Sequence, residues 1–158
     1  MELLHWLAFS PLSSWMLADT YCVQLLLCAH SVGMAIVVGV VIVLDIRVLG
    51  YARRMPVSVF HQALSLAWWG FAINALSGIL LFITNGPALI ALWTFQLKMA
   101  LILAGGFSVW LLWRTAKEFP EKNHVFSSKE KVVAALSLLF WFGAITSGRY
   151  IAYTLPPG

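Results

Sequence analysis

Charge is what this sequence has least of. Only 10% of its 158 residues are Asp, Glu, Lys or Arg, where a soluble domain carries about 25%. At a mean hydropathy of +0.89, that excludes a soluble globule and implies an integral membrane protein. Catalytic signatures are missing as well: no GxGxxG, Walker A, HExxH or CxxCH pattern occurs, so nucleotide cradles, zincin-type hydrolysis and c-type haem attachment find no support. The basic residues separate apolar runs and do not form a patch, which argues against nucleic acid as a partner and for lipid headgroups. Cysteine is sparse too. Cys22 and Cys28 fall about 120° apart on a helix, poorly placed for a disulfide. The opening Met1-Glu-Leu-Leu-His-Trp6 lacks the basic region and cleavage site of a removable signal.

Hydrophobicity is what remains, at 61% of residues. A spanning helix needs about 20 apolar residues, and four runs meet that length, over roughly 21–49, 58–84, 88–113 and 132–153. Residues 2–18 are apolar but broken by Pro11 and Ser13-Ser14, with Trp6, Phe9, Leu12 and Trp15 near helical spacing. That pattern predicts a short helix in the membrane interface. The expected fold is all-α: one transmembrane domain over 1–158, a four-helix antiparallel bundle with an N-terminal interfacial helix.

Eight of the ten Lys and Arg residues stand at the end of the first or third run or after it: Arg47, Arg53, Arg54, Arg114, Lys117, Lys122, Lys129 and Lys131. Positive residues stay inside, so both termini are expected on the periplasmic side of a bacterial inner membrane. The two left over, Lys98 and Arg149, fall inside apolar runs, as do His30 and His61. Ionisable groups in hydrocarbon are costly and are usually received by a partner, a cofactor or water.

Depth sorts these groups. At 1.5 Å per residue His30 lies about 14 Å from the outer boundary, with Lys98, Asn74 and Ser77 at similar depth and Arg149 shallower. His61 enters from the opposite side, about 20 Å away along the membrane normal, so the two histidines are not expected on one iron. Neutral imidazole is a common haem and metal ligand, and Met34 at i+4 from His30 could add a sulfur donor. Lys98 and Arg149 have no acid near them in the runs, since Asp45 is at the other end. Two such cations suit carboxylates, either haem propionates or an anionic substrate. Each group also has a plainer alternative: His30 as a core histidine bonded to a neighbouring helix, His61 as an interfacial residue, and Arg149 as a snorkelling side chain. Trp68-Trp69 in mid-run could place one ring against a cofactor.

The segments His30-Ser-Val-Gly-Met-Ala35, Leu44-Asp-Ile-Arg-Val-Leu-Gly50, Ser77-Gly-Ile-Leu-Leu-Phe82, Phe95-Gln-Leu-Lys98 and Gly148-Arg-Tyr-Ile-Ala-Tyr153 resemble an uncharacterised family of short four-helix bacterial membrane proteins. More distantly, a first-span His with a third-span Lys is similar to CopD-like copper-resistance proteins and to HemJ-type protoporphyrinogen oxidases, which are haem-b membrane proteins. By that resemblance His30 matches the first-helix histidine and Lys98 the third-helix lysine. The oxidase's flanking Trp and Arg pattern is not found, so the resemblance implies haem b and not the oxidase reaction.

The expectation is therefore a haem-b-binding membrane protein, an electron-transfer or accessory subunit rather than a stand-alone catalyst, working with other membrane or periplasmic redox subunits. His30 would be an axial ligand, Lys98 and Arg149 would hold propionates, Asn74 would line the site, and Gly33 and Gly78 would make room for the macrocycle. His61 would ligate a second haem. The alternatives are copper handling through His30, Met34, Met99 and Cys28, and a structural subunit whose polar residues only bond helices together.

Overall fold

The computed structural model describes residues 2–52, 58–118 and 125–154, and within them all side chains except those of 3–5, 58–61 and 116–118. No strand occurs among the described residues, and there are six helices: α1 (Glu2–Ala8), α2 (Pro11–Ala18), α3 (Cys22–Leu49), α4 (Ser58–Ala91), α5 (Trp93–Glu118) and α6 (Ser128–Thr154). The last four are long and apolar enough to cross a membrane.

The boundaries follow from local chemistry. Ser10 caps α2, its hydroxyl accepting from the Ser13 N–H at 3.2 Å. Pro11 takes the first helical position, where its missing N–H costs nothing. The interfacial helix expected over 2–18 is thus two short helices. The Asp19 carboxylate then accepts from the N–H groups of Tyr21 and Cys22 at 2.8 and 2.9 Å, meeting donors that α3 leaves free at its start. At the other end Gly50 adopts φ 101°, and the N–H of Tyr51 returns to the Ile46 carbonyl at 3.2 Å, a glycine-terminated stop.

The second run was expected to end at 84, and α4 leaves helical geometry at the next residue before helical turns resume to Ala91. The chain kinks at Asn85 (φ −138°, ψ 23°) with Pro87 inside the helix, because Pro removes a backbone donor and crowds the preceding turn. α5 then starts at Trp93 rather than near 88, which places Lys98 in its second turn.

The helices associate as two tight pairs, α3 with α4 and α5 with α6. α3 joins the pairs by packing on α6, whereas α4 and α5 touch only sparsely. Small residues set the first pair. A Cβ added at Gly33 would meet the Asn74 N at 2.6 Å and the Gly70 O at 2.7 Å, so the α3 and α4 backbones are nearly in contact. In the second pair Gly105 accepts the Trp141 indole and Gly143 accepts Leu101. Beyond the crossing, Val40, Leu44, Val48, Ala67, Leu112, Phe126 and Ala134 form one buried cluster, and Val37, Val38, Val41 and Trp141 form another. Arg47, expected to face headgroups, is 2% exposed and lies over the Phe126 ring at 5.6 Å. α1 packs on α4, and α2 packs on both α3 and α4, burying Ser13 and Met16.

Candidate functional site

Just outside the Gly33 crossing, α3 and α4 exchange side chains. The Asn74 Nδ2 donates to the His30 backbone carbonyl at 2.7 Å, and His30 Nδ1 is 2.9 Å from the Asn74 carbonyl. A carbonyl oxygen only accepts, so Nδ1 carries the hydrogen and donates. Ser77 donates its hydroxyl to the Ile73 carbonyl at 2.6 Å, and its oxygen is 3.3 Å from the same Nδ1. Gly78, one turn beyond Asn74, lies against the ring, for a Cβ there would be 3.0 Å from the His30 Cε1. Backbone carbonyl, hydroxyl and glycine together hold the imidazole in one orientation and one tautomer.

That tautomer leaves the lone pair on Nε2, and Nε2 points at the second helix pair. Lys98 of α5 places Nζ 3.3 Å from it and donates to it. The lysine stem runs along Gly148 of α6, where a Cβ would be 3.3 Å from Cε. Thr94 lies one turn before Lys98 on the same face of α5. It is 1% exposed, and its hydroxyl has no partner among the described residues. All four long helices therefore contribute to one polar locus inside otherwise apolar packing. Its chemistry is that of an oriented neutral imidazole facing a primary amine.

The structure brings His30, Asn74, Gly78 and Lys98 together and leaves other expected residues elsewhere. Arg149, one residue beyond Gly148, is exposed, with its guanidinium over the Tyr153 ring at 5.7 Å. Met34 packs on the Val37, Val38, Val41 and Trp141 cluster, so the chain places it in the core. Met99, Trp68, Trp69 and Cys28 are exposed on the bundle exterior. The His61 side chain and all of His124 lie outside the described residues, as does the side chain of His5. Among the described residues no three of His, Cys, Asp and Glu gather as a metal-binding group.

The haem expected from the sequence can be set against these residues. His30 has one feature an axial imidazole needs, an Nδ1–H held by a carbonyl; its Nε2 lone pair accepts from Lys98, so an iron would have to displace that amine. The glycines do something other than expected: Gly33 is used by the α3–α4 contact, and the space over Gly78 is filled by the imidazole itself. Ser77, placed at the depth of His30 by the sequence, is a partner of the ring. Gly148 and Thr94 went unnoticed in the sequence, although Gly148 stands beside Arg149, which drew attention. Thr94 is marked only by its four-residue spacing from Lys98.

No family model, curated protein or solved structure matches the chain.

Proposed function

We propose that this chain is a haem-b-binding membrane protein, an electron-transfer subunit of the bacterial inner membrane with both termini on the periplasmic side. The observation that carries the reading is the state of His30. Its Nδ1–H is fixed on the Asn74 carbonyl at 2.9 Å and its Nε2 lone pair is directed into the seam between the helix pairs. Such an outer hydrogen bond orients a ligating histidine and raises its basicity. Bound haem would supply a one-electron iron couple. His30 would hold it as an axial ligand, and Lys98 would pair with a propionate; Arg149, stacked on Tyr153 at the exterior, is not part of this set. The partners would be other membrane or periplasmic redox subunits.

The test is a reduced-minus-oxidised optical spectrum of the purified protein. A b-type spectrum is expected, lost in His30→Ala while helicity and monodispersity persist. A protein that stays colourless after addition of haem overturns the proposal. The second haem has its own test: His61→Ala should remove about half of the bound haem, the share expected if His61 holds one of two. Copper at His30, in place of haem, would appear as stoichiometric metal by elemental analysis. A structural reading also has an observation in its favour, the reciprocal His30–Asn74 pair, which bonds two helices with no ligand. It stands if neither haem nor copper binds and His30→Ala alters stability alone.

A further inference from the structure

Fifteen residues beyond His30 on α3, about 22 Å along the axis, the bundle encloses another ionisable side chain. Asp45 is 1% exposed, and neither carboxyl oxygen has a hydrogen-bond partner among the described residues. It borders a small cavity otherwise walled by Leu44, Leu64, Val109, Leu112 and Trp113. The Ser137 hydroxyl of α6 faces the carboxyl without reaching hydrogen-bond geometry, and is itself fully buried.

A carboxyl buried without donors is costly, and an ionisable residue within a span usually marks a functional position. Its surroundings narrow what it can bind. Ca²⁺ takes six to eight oxygens and Zn²⁺ three or four protein ligands, whereas one carboxyl and one hydroxyl converge here. The described neighbours facing it are Leu64 from α4, Val109, Leu112 and Trp113 from α5, and Ser137 from α6; none of them titrates. The nearest fixed charge along α3, Arg47, lies over Phe126. A proton needs only one free oxygen lone pair and a dry, polarisable neighbour. The pocket provides both.

We propose that Asp45 is a proton-binding site at the end of the bundle opposite to His30. A proton adds to one carboxylate oxygen to give the neutral acid and leaves by the reverse step, with no electron transferred. The Ser137 hydroxyl facing the carboxyl turns its dipole toward the carboxylate and away from the neutral acid. The site is independent of any cofactor at His30, so each proposal can fail without the other.

Infrared difference spectroscopy of the reconstituted full chain tests it, with spectra taken from mildly acidic to mildly alkaline pH. A carboxylic C=O band that disappears in one titration step is expected, absent from Asp45→Asn at every pH. Ser137→Ala, which keeps the carboxyl, should shift the frequency of that band. The second variant decides the matter where Asp45→Asn does not fold. A band of constant intensity overturns the proposal, because the acid is then permanently neutral. No band at any pH, a band that persists in Asp45→Asn, or one unmoved in Ser137→Ala overturns it equally.

Discussion

Replacing Gly33 by Ala asks how much of this bundle depends on one missing methyl group. The added Cβ would meet the Asn74 N at 2.6 Å and the Gly70 O at 2.7 Å. Both are backbone atoms of α4, so no rotamer change relieves the overlap. Restoring ordinary contact at 3.4 Å requires α3 and α4 to separate by about 0.8 Å at the crossing. Overpacking of this kind costs about 1–3 kcal/mol. The separation also stretches the nearby His30–Asn74 pair, now at 2.7 and 2.9 Å, and an interhelical hydrogen bond in a membrane contributes about 0.6 kcal/mol. Against this, Gly to Ala inside a helix gains up to about 1 kcal/mol. Gly39 of the same helix is the control, since a Cβ there meets nothing within 4 Å. Gly39→Ala is expected to be neutral or stabilising and Gly33→Ala destabilising, with about 2–4 kcal/mol between them from these terms. Equilibrium unfolding in mixed detergent micelles, followed by circular dichroism, measures the difference. If Gly33→Ala and Gly39→Ala change stability alike, the close crossing is refuted.

Asn74→Leu removes the donor to the His30 carbonyl, and an unfolding loss of about 0.6–1.7 kcal/mol is expected from the same detergent titration; no loss would mean the pair is idle. Lys98→Met keeps the stem along Gly148 and removes the donor to Nε2, so stability should fall by less than about 1 kcal/mol while any haem content drops several-fold. Unchanged content would remove Lys98 from the haem proposal. Gly105→Ala places a Cβ 2.9 Å from the Trp141 indole nitrogen and should shift the tryptophan emission and lower the melting temperature, neither of which Gly106→Ala should do. Cys22 opens the first turn of α3, so a membrane-impermeant maleimide is expected to label it in intact spheroplasts. Labelling only after permeabilisation would reverse the proposed orientation.

Much of the architecture was readable because hydrocarbon imposes one requirement: backbone groups must bond internally, and each crossing must be long enough. Four apolar runs therefore appear as four helices. The break at Asn85-Gly-Pro87 was readable too, because Pro87 cannot continue the hydrogen-bond ladder of the preceding turn; the helical turns that resume to Ala91 were not. The closeness of His30, Asn74 and Lys98 could be approached through depth alone, because helical rise is regular. Rotation about each axis could not. Arg149 and Lys98 lie at compatible heights, yet one stacks on Tyr153 outside while the other reaches the imidazole. Met34 sits one turn from His30, but its side chain is drawn into the Val37–Trp141 cluster. Asp45 was read only as too distant to pair with the cations, since a sequence does not show which carboxylates the packing encloses.

The division into two tight helix pairs has a consequence for biogenesis. α3 and α4 leave the ribosome before α5, and their glycine contact and His30–Asn74 bonds are complete within that first hairpin. The nascent half can settle in the bilayer with its imidazole already oriented, while the amine that completes the polar locus is still to be synthesised. Lys98 can reach Nε2 only when the second hairpin docks. A crosslink between positions 30 and 98 would therefore record the final assembly step, and one between 30 and 74 the first.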